Sequence, residues 1–262
     1  MLTRKVWDHV IEMKKGFVPR KGKVYLLSRG KKEEVRKFIE EQLRKGYIQP
    51  SKSLQTVLVF FVGKKNGKKR MVQDYRYLNK WTIKNNYPLP LISDMLENIG
   101  TKKVFKKMDL RWGYNNVRIK EGDKWKVAFT TPEGSFEPIV MFFGLTNLPA
   151  MFQILMNELL RDLINTGKVA AFIDDVIVGM EMEKNRHDEI VAEIIKRLEE
   201  SDLYVKLEKC KWKVWEVGFL EVVIGPEGIK IEKEKVQGVL EWPIPKRTKD
   251  VQKFLGLANY YC

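Results

Sequence analysis

The stretch Ala171-Phe172-Ile173-Asp174-Asp175-Val176-Ile177-Val178 sets two adjacent carboxylates between apolar, β-prone runs. Read as strand, tight turn, strand, it puts both acids at the tip of a hairpin anchored by its flanks. Burying two like charges is costly unless a cation compensates them. Carboxylate oxygens are the ligands that Mg2+ prefers. The plainer alternative is a turn that happens to use Asp, a common turn residue; the apolar flanks weigh against it. A third acid, Asp109, closes another β-prone run, Val104-Phe105-Lys106-Lys107-Met108-Asp109. If that strand pairs with the hairpin, Asp109 meets Asp174 and Asp175. Three carboxylates can then share two Mg2+ ions about 3.5–4 Å apart, with Mn2+ as a substitute.

Outward from this centre the periodicities alternate between strand and helix. Asn147 to Leu163 reads as an amphipathic helix: Phe152, Leu155, Met156, Leu159, Leu160 and Leu163 form one stripe, and Pro149 sits in the first turn. Lys184 to Glu200 reads as another, with Val191, Ile194, Ile195 and Leu198 inward, and Gly218 to Ile224 as a further strand. Upstream, Glu33 to Lys45 predicts a helix with Val35, Phe38, Ile39 and either Gln42 or Leu43 on its stripe, stopped by Gly46. Thr56 to Val62 and Met71 to Tyr75 read as strands joined through an Asn66-Gly67 turn. Tyr87-Pro88-Leu89-Pro90 must be extended. The basic N-terminal arm, broken by Gly16, Pro19 and Gly22, reads as irregular, and the tail beyond Gly225 holds a short helical pattern. The fold class is α+β.

Lys and Arg number 49 against 34 Asp and Glu, a formal charge of +15 that points to a polyanionic partner, nucleic acid before an anionic membrane. A length of 262 residues with 44% apolar content supports one large domain or a few subdomains sharing a core. The longest apolar run, Val57 to Val62, falls far short of the roughly 18–20 residues that a membrane span needs. Arg4, Lys5 and Asp8 are not followed by the apolar stretch of a secretory signal. Cys210 and Cys262 lie far apart and read as free thiols of a reducing, intracellular compartment.

The acidic motifs together resemble the palm of reverse transcriptases. The run Lys65-Asn66-Gly67-Lys68-Lys69-Arg70-Met71-Val72-Gln73-Asp74-Tyr75-Arg76-Tyr77-Leu78-Asn79 resembles the fingers motif of long-terminal-repeat retrotransposon polymerases. So do Tyr87-Pro88-Leu89-Pro90, the segment Met141-Phe142-Phe143-Gly144-Leu145-Thr146-Asn147 with Pro149-Ala150 and Phe152-Gln153, and Phe254-Leu255-Gly256-Leu257-Ala258-Asn259-Tyr260-Tyr261. Order and spacing are similar to the Ty3/gypsy group. The resemblance implies a right-hand polymerase with an antiparallel palm sheet backed by helices: fingers from residues 1–100 and 118–137, palm from 101–117 and 138–224, and the start of a truncated thumb from 225–262.

The implied activity is RNA-directed DNA polymerisation, with dNTPs added to a primer 3′-hydroxyl by two-metal phosphoryl transfer. Lys65, or less well Lys64, and Arg70 would bind the incoming triphosphate, Tyr114 would exclude a ribose 2′-hydroxyl, and Phe143 and Gly144 would flank the nucleotide. Arg76, Asn79, Pro149, Gln153 and Leu220 would contact template or primer. Lys209 would protonate pyrophosphate, unless it is an ordinary surface lysine like Lys206, Lys211 and Lys213. Expected partners are an RNA or DNA template with its primer and, in a full element, the protease, ribonuclease H and integrase segments of a polyprotein, inside a cytoplasmic virus-like particle. Glu221 stands where the family has Gly, Leu148 where a small residue is usual, and Gly179-Met180 where small or polar residues often follow. The chain ends at Cys262, where relatives continue. An impaired retroelement remnant that only binds nucleic acid is the competing expectation. An RNA-templated RNA polymerase with a similar palm is a third, separated by comparing dNTP with rNTP incorporation in wild type and Tyr114→Ala; a metal nuclease is the weakest, since it would lack a use for Lys65, Arg70 and Tyr114.

Overall fold

Period-2 alternation builds the strands and period-3.6 stripes build the helices. The computed structural model describes residues 8–24, 26–63, 69–111, 117–181 and 184–261. In chain order they form α1 (Arg29–Arg44), β1 (Ile48–Pro50), β2 (Val57–Gly63), β3 (Lys69–Gln73), α2 (Arg76–Trp81), α3 (Ile92–Gly100), β4 (Val104–Arg111), β5 (Phe129–Thr131) and β6 (Gly134–Pro138). There follow α4 (Leu148–Asn165), β7 (Val169–Phe172), β8 (Asp175–Met180), α5 (Lys184–Glu200), β9 (Tyr204–Val205), β10 (Lys211–Val214), β11 (Val217–Phe219), β12 (Val222–Gly225), β13 (Gly228–Ile231), α6 (Lys233–Leu240) and α7 (Thr248–Tyr261). The chain divides into two units: Met1–Leu89, Leu110–Leu159 and Lys196–Tyr204 in the first, Pro90–Asp109, Leu160–Ile195 and Val205–Cys262 in the second.

The first unit is organised by a five-stranded sheet in the order β1-β6-β5-β2-β3. Only β2 and β5 pair in parallel. Helix α1 buries Val35, Ile39 and Gln42, whereas Leu43 is exposed, so the geometry chooses Gln42 of the two candidates for that stripe position. Phe129 packs its ring against Phe136 and Phe142. The apolar run 136–142 is strand only as far as Pro138. Beyond it the Ile139 and Met141 amides donate to the carbonyls of Tyr47 and Val117. The N-terminal arm is irregular, as expected, and is stitched down by isolated bridges from His9 to Ile119 and Met13 to Thr82.

The second unit holds the antiparallel sheet β10-β4-β8-β7. Along β4, alternation sends Val104, Lys106 and Met108 to one face and Phe105, Lys107 and Asp109 to the other. Phe105, Ala170 and Ile177 are closed over by Met95 and Ile99 of α3 and by Val217, Phe219 and Ile224 of the small β11-β12-β13 sheet. Full burial of such side chains is worth about 1.5–3 kcal/mol each, so this end of the face is fixed. The Asp109 end is left to carry polar groups.

Two expectations are corrected. Gly218 to Ile224 is not one strand: β11 stops at Phe219, and Leu220-Glu221 turn the chain into β12, with φ of 51° and 68°. Positive φ at both central residues is the type I′ pattern, which favours Asn and Gly; Leu and Glu give no such signal. Ile195 of α5 is 37% exposed, not inward, while Val191, Ile194 and Leu198 are buried.

Candidate active site

The site is assembled on the second unit's sheet. In the β4–β8 ladder Asp109 stands directly opposite Asp175, and the β7–β8 hairpin closes on Phe172 opposite Asp175, leaving Ile173-Asp174 as its two-residue tip. Directly paired residues project from the same face, with Cα atoms about 4.5–5.5 Å apart. Ile173 has φ of 54°. A positive φ is an outlier for a β-branched residue and stores on the order of 1–3 kcal/mol. The surrounding core holds that strained tip and so fixes where the neighbouring carboxyl lies. Burial, and then the Asp175 and Asp109 carboxylates, push the Asp174 carboxyl above the usual carboxylate range; a backbone hydrogen bond and Lys206 pull the other way.

Three lysines answer these acids. Lys206 Nζ lies 2.9 Å from Asp109 Oδ1, Lys209 Nζ lies 3.5 Å from Asp109 Oδ2, and Lys107 Nζ lies 3.0 Å from Asp175 Oδ1. Lys206 and Lys209 converge because Leu207–Lys209 is a 3-10 turn, in which residues three apart eclipse one another. Lys206 ties that turn down: its amide donates to the Asp109 carbonyl at 2.8 Å, and its own carbonyl accepts from the Lys209 and Cys210 amides and the Cys210 thiol. Cys210 is buried and unpaired with another cysteine, and burial raises its thiol pKa.

The donor set suits hard divalent cations: all-oxygen ligands on paired strand ends. Among the described residues, however, no three His, Cys, Asp or Glu side chains stand close enough to enclose a metal ion. The oxygens of Asp109 and Asp175 are turned toward ammonium groups instead.

Other residues singled out from the sequence fall in different places. Leu220 is at the β11–β12 turn of the second unit. In the first unit, Asn79 is a staple for the Gly144 loop: its Nδ2 donates to the Gly144 carbonyl at 2.7 Å, and its Oδ1 accepts from the Thr146 amide at 3.0 Å. Gly144 has φ of 102° and packs near the Tyr75 ring, a conformation that favours glycine. Phe143 beside it is exposed. Arg76 forks onto Asp74, at 2.8 and 2.6 Å. Pro149 occupies the first turn of α4, and Gln153 is fully buried, donating to Asn157, which in turn donates to the Tyr87 hydroxyl. Lys65, Tyr114 and the Asn66-Gly67 turn, with the Arg70 side chain, lie outside the described residues.

Sequence reasoning passed over Lys107 and Lys206. Lys107 was findable, since a residue two before Asp109 on a strand shares its face. The 3-10 register that brings in Lys206 leaves no comparable pattern.

The chain matches the family model described as "Reverse transcriptase (RNA-dependent DNA polymerase)" over residues 62–258, and it belongs to that family. More narrowly, it is 35% identical over 236 residues to the Transposon Tf2-3 polyprotein of Schizosaccharomyces pombe, and equally to the Tf2-7 polyprotein. These matches cover 90% of this chain but 18% of each polyprotein, so the chain spans less than a fifth of those relatives' length. The resemblance to Ty3/gypsy-type polyproteins read from the motifs is borne out.

Among solved structures, a foamy viral protease-reverse transcriptase in complex with RNA/DNA hybrid superposes with a TM-score of 0.83 at 25% identity, covering 97% of this chain and 34% of that one. A second, in complex with double-stranded DNA, gives 0.84 at 26% identity, covering 93% and 42%. The right-hand polymerase fold is therefore the fold of this chain. No helix among the described residues is long and apolar enough to cross a membrane.

Proposed function

We propose that this chain is an RNA-directed DNA polymerase, extending a primer 3′-hydroxyl with dNTPs along an RNA or DNA template. One observation carries the reading: Asp109 and Asp175 stand opposite each other in the ladder, with Asp174 at the strained tip beside them. Asp109, Asp174 and Asp175 would hold two divalent cations, Mg2+ or Mn2+, which supply activation of the primer hydroxyl and neutralisation of the triphosphate.

The protein's own groups do the rest. Strained Ile173 and the paired strands fix the backbone that carries the three carboxylates, so that only their side chains and the lysines on them have to turn when cations bind. Lys209, whose side chain is 59% exposed beside Asp109, would give a proton to departing pyrophosphate. Lys65 and Arg70 suit phosphate oxygens as point charge and fork. Tyr114 would exclude a ribose 2′-hydroxyl, and Phe143 and Gly144 would flank the nucleotide. Asn79 acts through the Gly144 loop that it staples, while Arg76, Pro149 and Leu220 belong to the template and primer surfaces; Gln153, expected to contact template or primer, is fully buried and acts through Asn157 and Tyr87. In this reading residues 1–100 and 118–137 are fingers, 101–117 and 138–224 palm, and 225–262 the beginning of a thumb. Protease, ribonuclease H and integrase would come from neighbouring polyprotein segments, and the work would take place in a cytoplasmic particle. The charge of +15 supplies the attraction to nucleic acid.

Template-directed dNTP incorporation with Mg2+, by wild type and Asp174→Asn, tests the proposal. Wild type extends the primer, and Asp174→Asn abolishes extension while keeping nucleic-acid binding. Salt-sensitive binding without incorporation by wild type would select the impaired remnant instead.

A further inference from the structure

We propose that Lys206 and Lys107 are counter-ions that occupy the carboxylates of Asp109 and Asp175 until divalent cations displace them, so that cations bind weakly alone and tightly with the triphosphate. The inference rests on the reading of the three aspartates as cation ligands.

Both oxygens of Asp109 are engaged, Oδ1 by Lys206 and Oδ2 by Lys209. A cation taken up by Asp109 needs those same oxygens and therefore displaces an ammonium contact. The Lys206 and Asp109 side chains are 25% and 18% exposed, and those of Lys107 and Asp175 are 20% and 27%. Pairs this sheltered are screened far less than surface pairs. Neither ammonium can diffuse away when displaced. Lys206 is pinned by its amide to the Asp109 carbonyl, and Lys107 is a strand residue two before Asp109, its Nζ also 5.9 Å from the centre of the Phe219 ring.

Charge balance then sets the order of binding. Lys107, Lys206 and Lys209 bring as many ammonium groups as there are carboxylates among Asp109, Asp174 and Asp175. Two divalent cations added to that neutral set leave a surplus of positive charge. A triphosphate removes the surplus, because the displaced ammoniums and the cations can both face its oxygens. Linkage makes the effect reciprocal: what weakens cations in the empty site strengthens their coupling to nucleotide.

The test is a titration with Mn2+ alone, following the free-ion signal by electron paramagnetic resonance, on the whole chain without nucleotide. Lys206→Met is expected to tighten Mn2+ at least about fivefold, the lower end for coupled sites. Lys107→Met does the same through the other carboxylate and carries the test if Lys206→Met does not fold. Lys206→Arg stays near wild type, and Lys209→Met changes affinity about twofold at most, since exposed pairs are worth little. A purely structural role predicts the opposite sign, looser binding. If the folded methionine variants bind Mn2+ no tighter than wild type, the counter-ion proposal is wrong. Asp174→Asn separates the underlying reading: equal Mn2+ binding by wild type and Asp174→Asn removes the aspartates as the cation site, whatever the lysine variants do.

Discussion

Replacing Gly179 by Ala is expected to destabilise the protein by about 1–2 kcal/mol. A methyl group at 179 would lie 3.0 and 3.1 Å from Cγ and Cβ of Lys102 and 3.3 Å from Cγ2 of Ile99, where unstrained carbon contacts are about 3.5–4.0 Å. The Lys102 atoms are those nearest the backbone, so swinging the ammonium end aside gives no relief. The backbone is tied as well: Lys102 N donates to the Ile99 carbonyl at 3.0 Å, Lys103 N to the Met180 carbonyl at 3.0 Å, and Gly179 N to the Lys168 carbonyl at 2.9 Å. Overpacking of this kind costs about 1–3 kcal/mol, and the reduced freedom of the unfolded alanine chain offsets about 0.4–1 kcal/mol. At roughly 2–4 °C per kcal/mol for a chain of this size, Tm should fall by about 2–8 °C. Gly179 pairs with Phe105 in the ladder that sets Asp109 opposite Asp175, so primer extension should fall with it. Thermal melts and urea denaturation at unchanged slope measure the loss. A Tm equal to or above wild type would refute the idea that α3 approaches β8 closely enough to demand glycine.

Glu221→Gly should raise stability by about 0.5–1 kcal/mol in thermal melts, because Glu221 sits at φ of 68° and left-handed backbone costs about 1–2 kcal/mol for a residue with a Cβ. The Lys235–Glu221 ion pair it removes, at 3.0 Å with both side chains well exposed, contributes little. Burial lowers the His9 pKa to about 4, against a partial raising effect of Asp123. The unfolded chain, titrating near 6.5, therefore binds a proton that the folded one refuses. Stability is full above pH 6.5 and is lost as pH falls toward 4, by about 3 kcal/mol at the lower end. Denaturation curves across that window should be flatter for His9→Gln; an equal slope in both proteins would remove His9 as the cause.

Much of the architecture was legible because it is written in periodicity. The α5 boundaries and the β7–β8 hairpin follow from stripes and alternation around Asp174-Asp175. The departure at Gly179, unexplained by sequence, becomes a packing requirement once α3 lies beside it. Glu221 is also re-read: the position sits in a positive-φ turn, which is reason enough for a relative to use glycine there. What sequence could not show depends on which backbone conformation wins locally. Leu220-Glu221 carry no turn chemistry yet turn the chain. Gln42 is buried in preference to Leu43. Asn79 looks like a template contact and is spent on the Gly144 loop. The ammonium partners of the acids depend on a 3-10 turn and a strand register, neither of which is visible from residue types alone.

Anomalous scattering from a crystal of the chain with primer-template, an incoming dNTP and Mn2+ tests the two-cation site most directly. Two peaks about 3.5–4 Å apart, beside the carboxylates of Asp109, Asp174 and Asp175, are predicted. Peaks placed elsewhere, or a nucleotide bound with the Asp109 and Asp175 carboxylates still on their lysines, would contradict it.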